Sequence, residues 1–184
     1  GADWMPYGPG DAAVEGAATF GAYEAEYAAI RRHVGVMHLP QRGVLRFTGA
    51  DRQDFLHRML TQEVRALPGG STKRAFQLNA KGRILADVIV HHGDLDTWLE
   101  MDRFDVAPLR TLLESRLFSE DVAVEDLTDR RVALALHGPA SAALLQAVAT
   151  GGDAALPANM PGTHHVIEIG SAGVAHVFPP SQVR

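Results

Sequence analysis

The chain has 184 residues, 46% of them hydrophobic and 21% charged, with a formal net charge of −5. That length can form one large domain or two small ones with a real core, and an acidic balance without a basic stripe argues against nucleic acid and anionic membrane as partners. No apolar run is long enough to span a bilayer, residues 1–10 lack the basic and apolar regions of a secretory signal, and the lack of cysteine removes disulfides, thiolate catalysis and iron–sulfur ligation from this stretch.

Residues 1–20, rich in Gly, Ala and Pro, read as an extended or partly disordered lead. A helix is predicted over 20–34, with Tyr23, Tyr27, Ile30 and Val34 at helical spacing and Gly35 as its stop. Residues 44–48 form a strand. A helix over 50–61 follows, with Phe55, Leu56, Met59 and Leu60 as its buried stripe and Asp51 and Asp54 in its first turn. Residues 68–71 are a loop. A hairpin has its arms at 73–79 and 83–92, a further strand covers 97–102, and Asp105 caps a helix running to about Leu117. A strand at 122–124 completes strand, helix, three strands, helix, strand: an α+β unit with helices on one face of an antiparallel sheet.

A polar break at 126–130 precedes a strand over 131–138 and a helix begun by Pro139 and running to 149. After a loop at 151–162, residues 166–169 and 174–178 read as a hairpin turned at Gly170-Ser171-Ala172-Gly173. This tail is too small for its own core and is expected to pack with residues 21–43.

The stretch with most chemical content is 79–90. Asn79 opens a turn with its side chain and Gly82 supplies a positive φ. In the strand that follows, Ile84, Ala86, Val88 and Val90 alternate with Leu85, Asp87, Ile89 and His91. A strand apolar on both faces is expected to be covered on both, so Asp87 is a carboxylate where solvent is not expected. It either bonds neighbouring backbone and fixes the sheet or serves a ligand, and burial would push its pKa upward.

Val34-Gly35-Val36 through Gly43, Phe47-Thr48-Gly49, Phe55-Leu56-His57, Leu78 through Asp87, and Leu136-His137-Gly138-Pro139 occur in one order over about residues 21–148. In this they resemble the glycine-cleavage T-protein (aminomethyltransferase) superfamily, including folate-binding relatives associated with iron–sulfur clusters. The resemblance implies an aminomethyltransferase-like ring of three domains around tetrahydrofolate or a reduced folate derivative. Residues 21–43 plus 129–184 would be a discontinuous first domain and 44–128 an inserted α+β second domain, with the C-terminal barrel not in this stretch.

Asp87 matches the family's folate-contacting Asp, which is implicated in activating the folate for transfer. Arg42, Lys81 and Arg83 are candidates for the folate's glutamate tail. Other motifs depart. The Asp-x-Ser-His-Met-Gly segment is here His38-Leu39-Pro40-Gln41-Arg42-Gly43, the Asn-rich segment is Asp102-Arg103-Phe104-Asp105, and the Gly-Tyr-Thr-Gly-Glu segment is not found. Two functions therefore stand side by side, a tetrahydrofolate-dependent one-carbon (aminomethyl-type) transferase and a non-catalytic folate-binding protein supporting iron–sulfur cluster assembly or repair. An interaction module without a small ligand is the third. The expected setting is cytoplasmic, with folate as the small-molecule partner. No metal site is expected, because His91-His92 and His164-His165 are adjacent pairs that face opposite ways on a strand. Trp98 reads as sheet packing rather than a pterin stacker.

Overall fold

The structure, a computed structural model, describes residues 1–152, 165–169 and 173–177. They divide into two units.

One unit is Arg42–Arg131. Its strands are β4 (Arg42–Thr48), β5 (Ser71–Leu78), β6 (Ile84–His92), β7 (Thr97–Asp102) and β8 (Ala123–Asp126), and its helices α2 (Arg52–Met59) and α3 (Arg103–Glu114). The strands form one antiparallel sheet in the order β5-β6-β7-β4-β8. Period-2 alternation sends Leu45 and Phe47, Ala86, Val88 and Val90, and Leu99 and Met101 to one face. There they pack with Phe55, Leu56, Val106, Leu109 and Leu113 of the two helices. Gly43 lets α3 approach β4 closely, since a Cβ at Gly43 would lie 2.4 Å from Val106 Cγ2 and 2.8 Å from Arg103 Cα.

The helix of this unit starts two residues before the expected cap. β7 runs straight into α3, and it is Asp102, not Asp105, whose carboxylate accepts from Phe104 N at 2.9 Å. Pro108 consequently lies inside the helix rather than in its first turn. The β5–β6 turn follows its sequence closely. Asn79 Oδ1 accepts from the N–H groups of Lys81 (2.9 Å) and Arg83 (3.0 Å), and Gly82 has φ +74°.

The other unit contains Gly1–Gln41 and, further on, residues 132–152, 165–169 and 173–177. It holds β1 (Asp3–Tyr7), β2 (Val14–Thr19), α1 (Tyr23–Arg32), β3 (Gly35–His38), β9 (Leu134–His137), α4 (Ser141–Val148), β10 (Gly151–Gly152), β11 (His165–Ile169) and β12 (Gly173–Val177). The sheets are β1-β2, β3-β9 and β10-β11-β12. The lead, expected without regular structure, is a hairpin pairing Met5 with Gly16 and Tyr7 with Val14. Pro, Gly and Ala within its arms hide it from propensity, and backbone bonding between the arms makes it. Of the expected 170–173 turn, residues 170–172 lie outside the described residues, as do 153–162 of the preceding loop.

Candidate functional site

The face of the sheet away from α2 and α3 carries the polar chemistry. Register places Thr72, Arg74 and Phe76 of β5 opposite His91, Ile89 and Asp87 of β6, with Ile89 and His91 in turn opposite Glu100 and Trp98 of β7. Paired residues of an antiparallel ladder share a face, so these side chains form one surface, continued by Arg42, Val44 and Arg46 of β4.

Asp87 is half-exposed, not sealed between two layers. The expectation of a strand covered on both sides fails because both helices of this unit pack on the face opposite Asp87, while a bulge between Gln77 and Leu78 displaces Leu85 from the Asp87 face. Leu85 instead lines a groove of about 480 Å³ with Met59, Leu60, Leu112 and Arg116. Arg74 takes the Asp87 carboxylate at both oxygens, Nε to Oδ1 at 2.9 Å and Nη2 to Oδ2. That hydrogen bonding, helped by the charges of Arg74 and Arg42, outweighs burial and holds the Asp87 carboxyl below the usual carboxylate range. The upward shift expected from the sequence is therefore reversed, because a cation supplied by the neighbouring strand dominates desolvation. Asp87 is ionised at neutral pH, an acceptor of hydrogen bonds and a poor base.

Arg42 lies on the same face, where its Nε donates to Glu100 Oε1 at 2.6 Å. Glu100 Oε2 meets His91 Nε2 at 3.1 Å, and His91 Nδ1 meets Thr72 Oγ1 at 3.1 Å. Burial pushes Glu100 up, but the His91 hydrogen bond and the Arg42 charge prevail and bring it to about 2. Burial is the main influence on His91 and lowers it, so at neutral pH the imidazole is neutral and Arg42 carries the positive charge of this network. His92, the next residue, points to the other face, with Nε2 2.8 Å from Gln53 Nε2 and Nδ1 2.8 Å from Thr97 Oγ1. Trp98 is buried beneath Arg131, whose guanidinium carbon sits 5.3 Å from the ring centroid.

Of the four residues singled out from sequence, the structure brings Asp87 and Arg42 to one face and leaves Lys81 and Arg83 in the exposed turn. Alternation along the strand already sets His91 on the face of Asp87, but sequence reading missed Arg74, Phe76 and Glu100 as members of the surface. Counting back from the turn pairs Leu78 with Ile84 and would put Arg74 on the face opposite Asp87; the bulge adds one residue and reverses that. Among the described residues, no group of three or more His, Asp or Glu is placed to hold a metal ion, and no helix is long and apolar enough to cross a membrane.

A mixed α+β chain with a half-exposed, charge-paired sheet face is thus the class of protein that the fold and the surface define. A family model described as the GCVT N-terminal domain matches residues 5–177, and the chain belongs to that family. It is similar to the aminomethyltransferase of Prosthecochloris aestuarii (strain DSM 271 / SK 413), with 29% identity over 131 residues, 70% of this chain and 36% of that protein. The aminomethyltransferase of Corynebacterium jeikeium (strain K411) is 30% identical over 125 residues, 67% of this chain and 32% of that protein. The crystal structure of glycine cleavage system aminomethyltransferase T from Bartonella henselae matches in fold, with a TM-score of 0.74 and 22% identity, over 97% of this chain and 50% of that one. The chain therefore spans about a third of the length of the curated relatives it matches and half of the solved structure's.

Proposed function

We propose that this chain binds a reduced folate of the tetrahydrofolate type, with Asp87 as the acceptor for a polar N–H edge of the ligand. The observation that carries this reading is an ionised carboxylate on an inner strand of a GCVT N-terminal domain, facing away from the packed helices. Phe76 and Ile89 flank Asp87 on the same face and offer apolar contact to a flat body, the combination that small-molecule sites use. Arg42 is engaged by Glu100, so it acts on a bound anion as a positioned charge rather than a free arm. Lys81 and Arg83 are the remaining cations proposed for the glutamate tail.

In the ligand-free chain the Arg74 fork holds Asp87 ionised, the state in which a carboxylate accepts hydrogen bonds. The first reading is an aminomethyl-type transferase, the activity for which the similar curated proteins are named, and the alternative is a non-catalytic folate-binding protein serving iron–sulfur assembly or repair in the cytoplasm. Domain organisation is proposed on the same footing, with 44–128 as the second ring domain inserted between 21–43 and 129–184. Calorimetry with tetrahydrofolate tests the binding. Asp87→Asn should weaken affinity by roughly tenfold or more, since bonds to charged groups contribute about 1.5–3 kcal/mol. Equal affinity in the two proteins would remove Asp87 from the site.

A further inference from the structure

Arg74 does two things at once. Its guanidinium forks onto both oxygens of Asp87, and its central carbon lies over the ring of Phe76, 5.6 Å from the centroid. Phe76 and Asp87 are themselves direct partners in the β5–β6 ladder, so carboxylate and ring form one corner. A guanidinium is a flat group with adjacent N–H donors on one edge and a π-face above and below. The corner is therefore filled by a flat group with a paired N–H edge, and an aminopyrimidinone ring, though neutral, is also flat and presents two parallel N–H donors in its plane.

We propose that Arg74 is a built-in stand-in for a planar ligand with two adjacent N–H donors, a latch that must swing off Asp87 and Phe76 before such a ligand enters. The proposal rests on the folate reading only for the identity of the natural ligand, whose pterin ring carries that edge. The latch is a light one. Arg74 and Asp87 side chains are 54% and 43% exposed, and ion pairs of that kind are held weakly against water. A ligand that supplies both the fork and the stack can displace it, and one that supplies neither is turned away.

The test uses the full chain and two probes, isocytosine, a neutral single ring with the N–H/NH2 edge, followed by NMR, and tetrahydrofolate, followed by calorimetry. Arg74→Ala should tighten isocytosine by about two- to fivefold, the range set by an exposed pair. Arg74→Lys, which keeps the charge and loses the fork, should give part of that gain. Adding Asp87→Asn or Phe76→Ala to Arg74→Ala should remove the gain. Weaker or unchanged isocytosine binding in Arg74→Ala overturns the latch, as does a gain there with none in Arg74→Lys, which assigns the effect to charge alone. Failure of isocytosine to bind any variant overturns it too. Gain for isocytosine with no tetrahydrofolate binding keeps the latch and ends the folate reading. Tetrahydrofolate binding without gain in either probe does the reverse.

Discussion

The two faces of the five-stranded sheet are built by the same strands and hold together by different means. On the helix side, Leu45, Phe47, Val88, Val90, Leu99 and Met101 are fully buried, and shape and apolar area do the stabilising. On the other side, side chains are fixed in pairs: Arg74 with Asp87, Arg42 and His91 each with Glu100, Arg46 with Asp96 and Glu125. Such pairs contribute little net stability, because each charge gives up water to gain its partner. They do fix where charges point. The comparison separates a face that makes the domain from one that can be spent on recognition, and substitutions on each should behave accordingly.

The largest effect belongs to the covered face. Phe47→Ala should destabilise the chain by about 3–5 kcal/mol in urea unfolding, the usual cost of emptying a closed aromatic site. A cost below about 1 kcal/mol would mean that the core is not packed as the structure has it. Next comes the buried end of the polar face. Glu100→Gln keeps shape but removes the charge that balances Arg42 and accepts from His91, and should cost about 1–3 kcal/mol. If that change is neutral, the network is decoration and the contrast between the faces is sharper still.

Acid should find both faces through the adjacent histidines. Burial lowers His91 and His92 from 6.5, so between their folded values and 6.5 the unfolded chain binds protons that the folded chain refuses. Stability is therefore complete above about 6.5 and falls below it, by at most about 1.4 kcal/mol per pH unit for each histidine. Glu100 adds a second step of the same sign. Its folded value near 2 against 4.5 gives stability that is present above 4.5 and lost as pH falls towards 2. Urea midpoints that stay flat from pH 8 to 5 would remove the histidine part, and His92→Gln should flatten part of the first step.

The covered face was legible in the sequence and the polar one was only half so. Ala86, Val88 and Val90 announce their side by alternation, α2 and α3 by helical spacing of Phe55, Leu56, Val106, Leu109 and Leu113, and the Asn79–Gly82 turn by its own chemistry. Asp87 and Arg42 were found because a carboxylate in an apolar strand, and a resemblance, single them out. Their partners were not, since Arg42 meets Glu100 across 58 positions and Arg74 reaches Asp87 through a bulge that no propensity reveals. The sign of the Asp87 shift follows from that partner, which is why burial alone gave the wrong direction. The lead hairpin was hidden because Pro6 and the Gly-Ala run of β2 speak against strands, and pairing overrides them.

The smallest expected effect on stability decides most about the polar face. Asp87 lies next to Val88 in the same strand, yet its side chain is 43% exposed where Val88 is wholly buried. Water already screens the bond to Arg74, so Asp87→Asn should change unfolding stability by no more than about 0.5 kcal/mol. The amide keeps the size of the carboxylate and one acceptor, so the sheet needs no rearrangement. The same substitution should still weaken reduced-folate binding by an order of magnitude, because a ligand N–H that covers the site loses a charged acceptor just where water is driven off. Unchanged stability with lost affinity would show a face kept for recognition. A loss of more than about 2 kcal/mol in unfolding, with affinity per folded molecule unaltered, would instead make Asp87 a structural brace and dissolve the distinction between the two faces at the residue where it matters most.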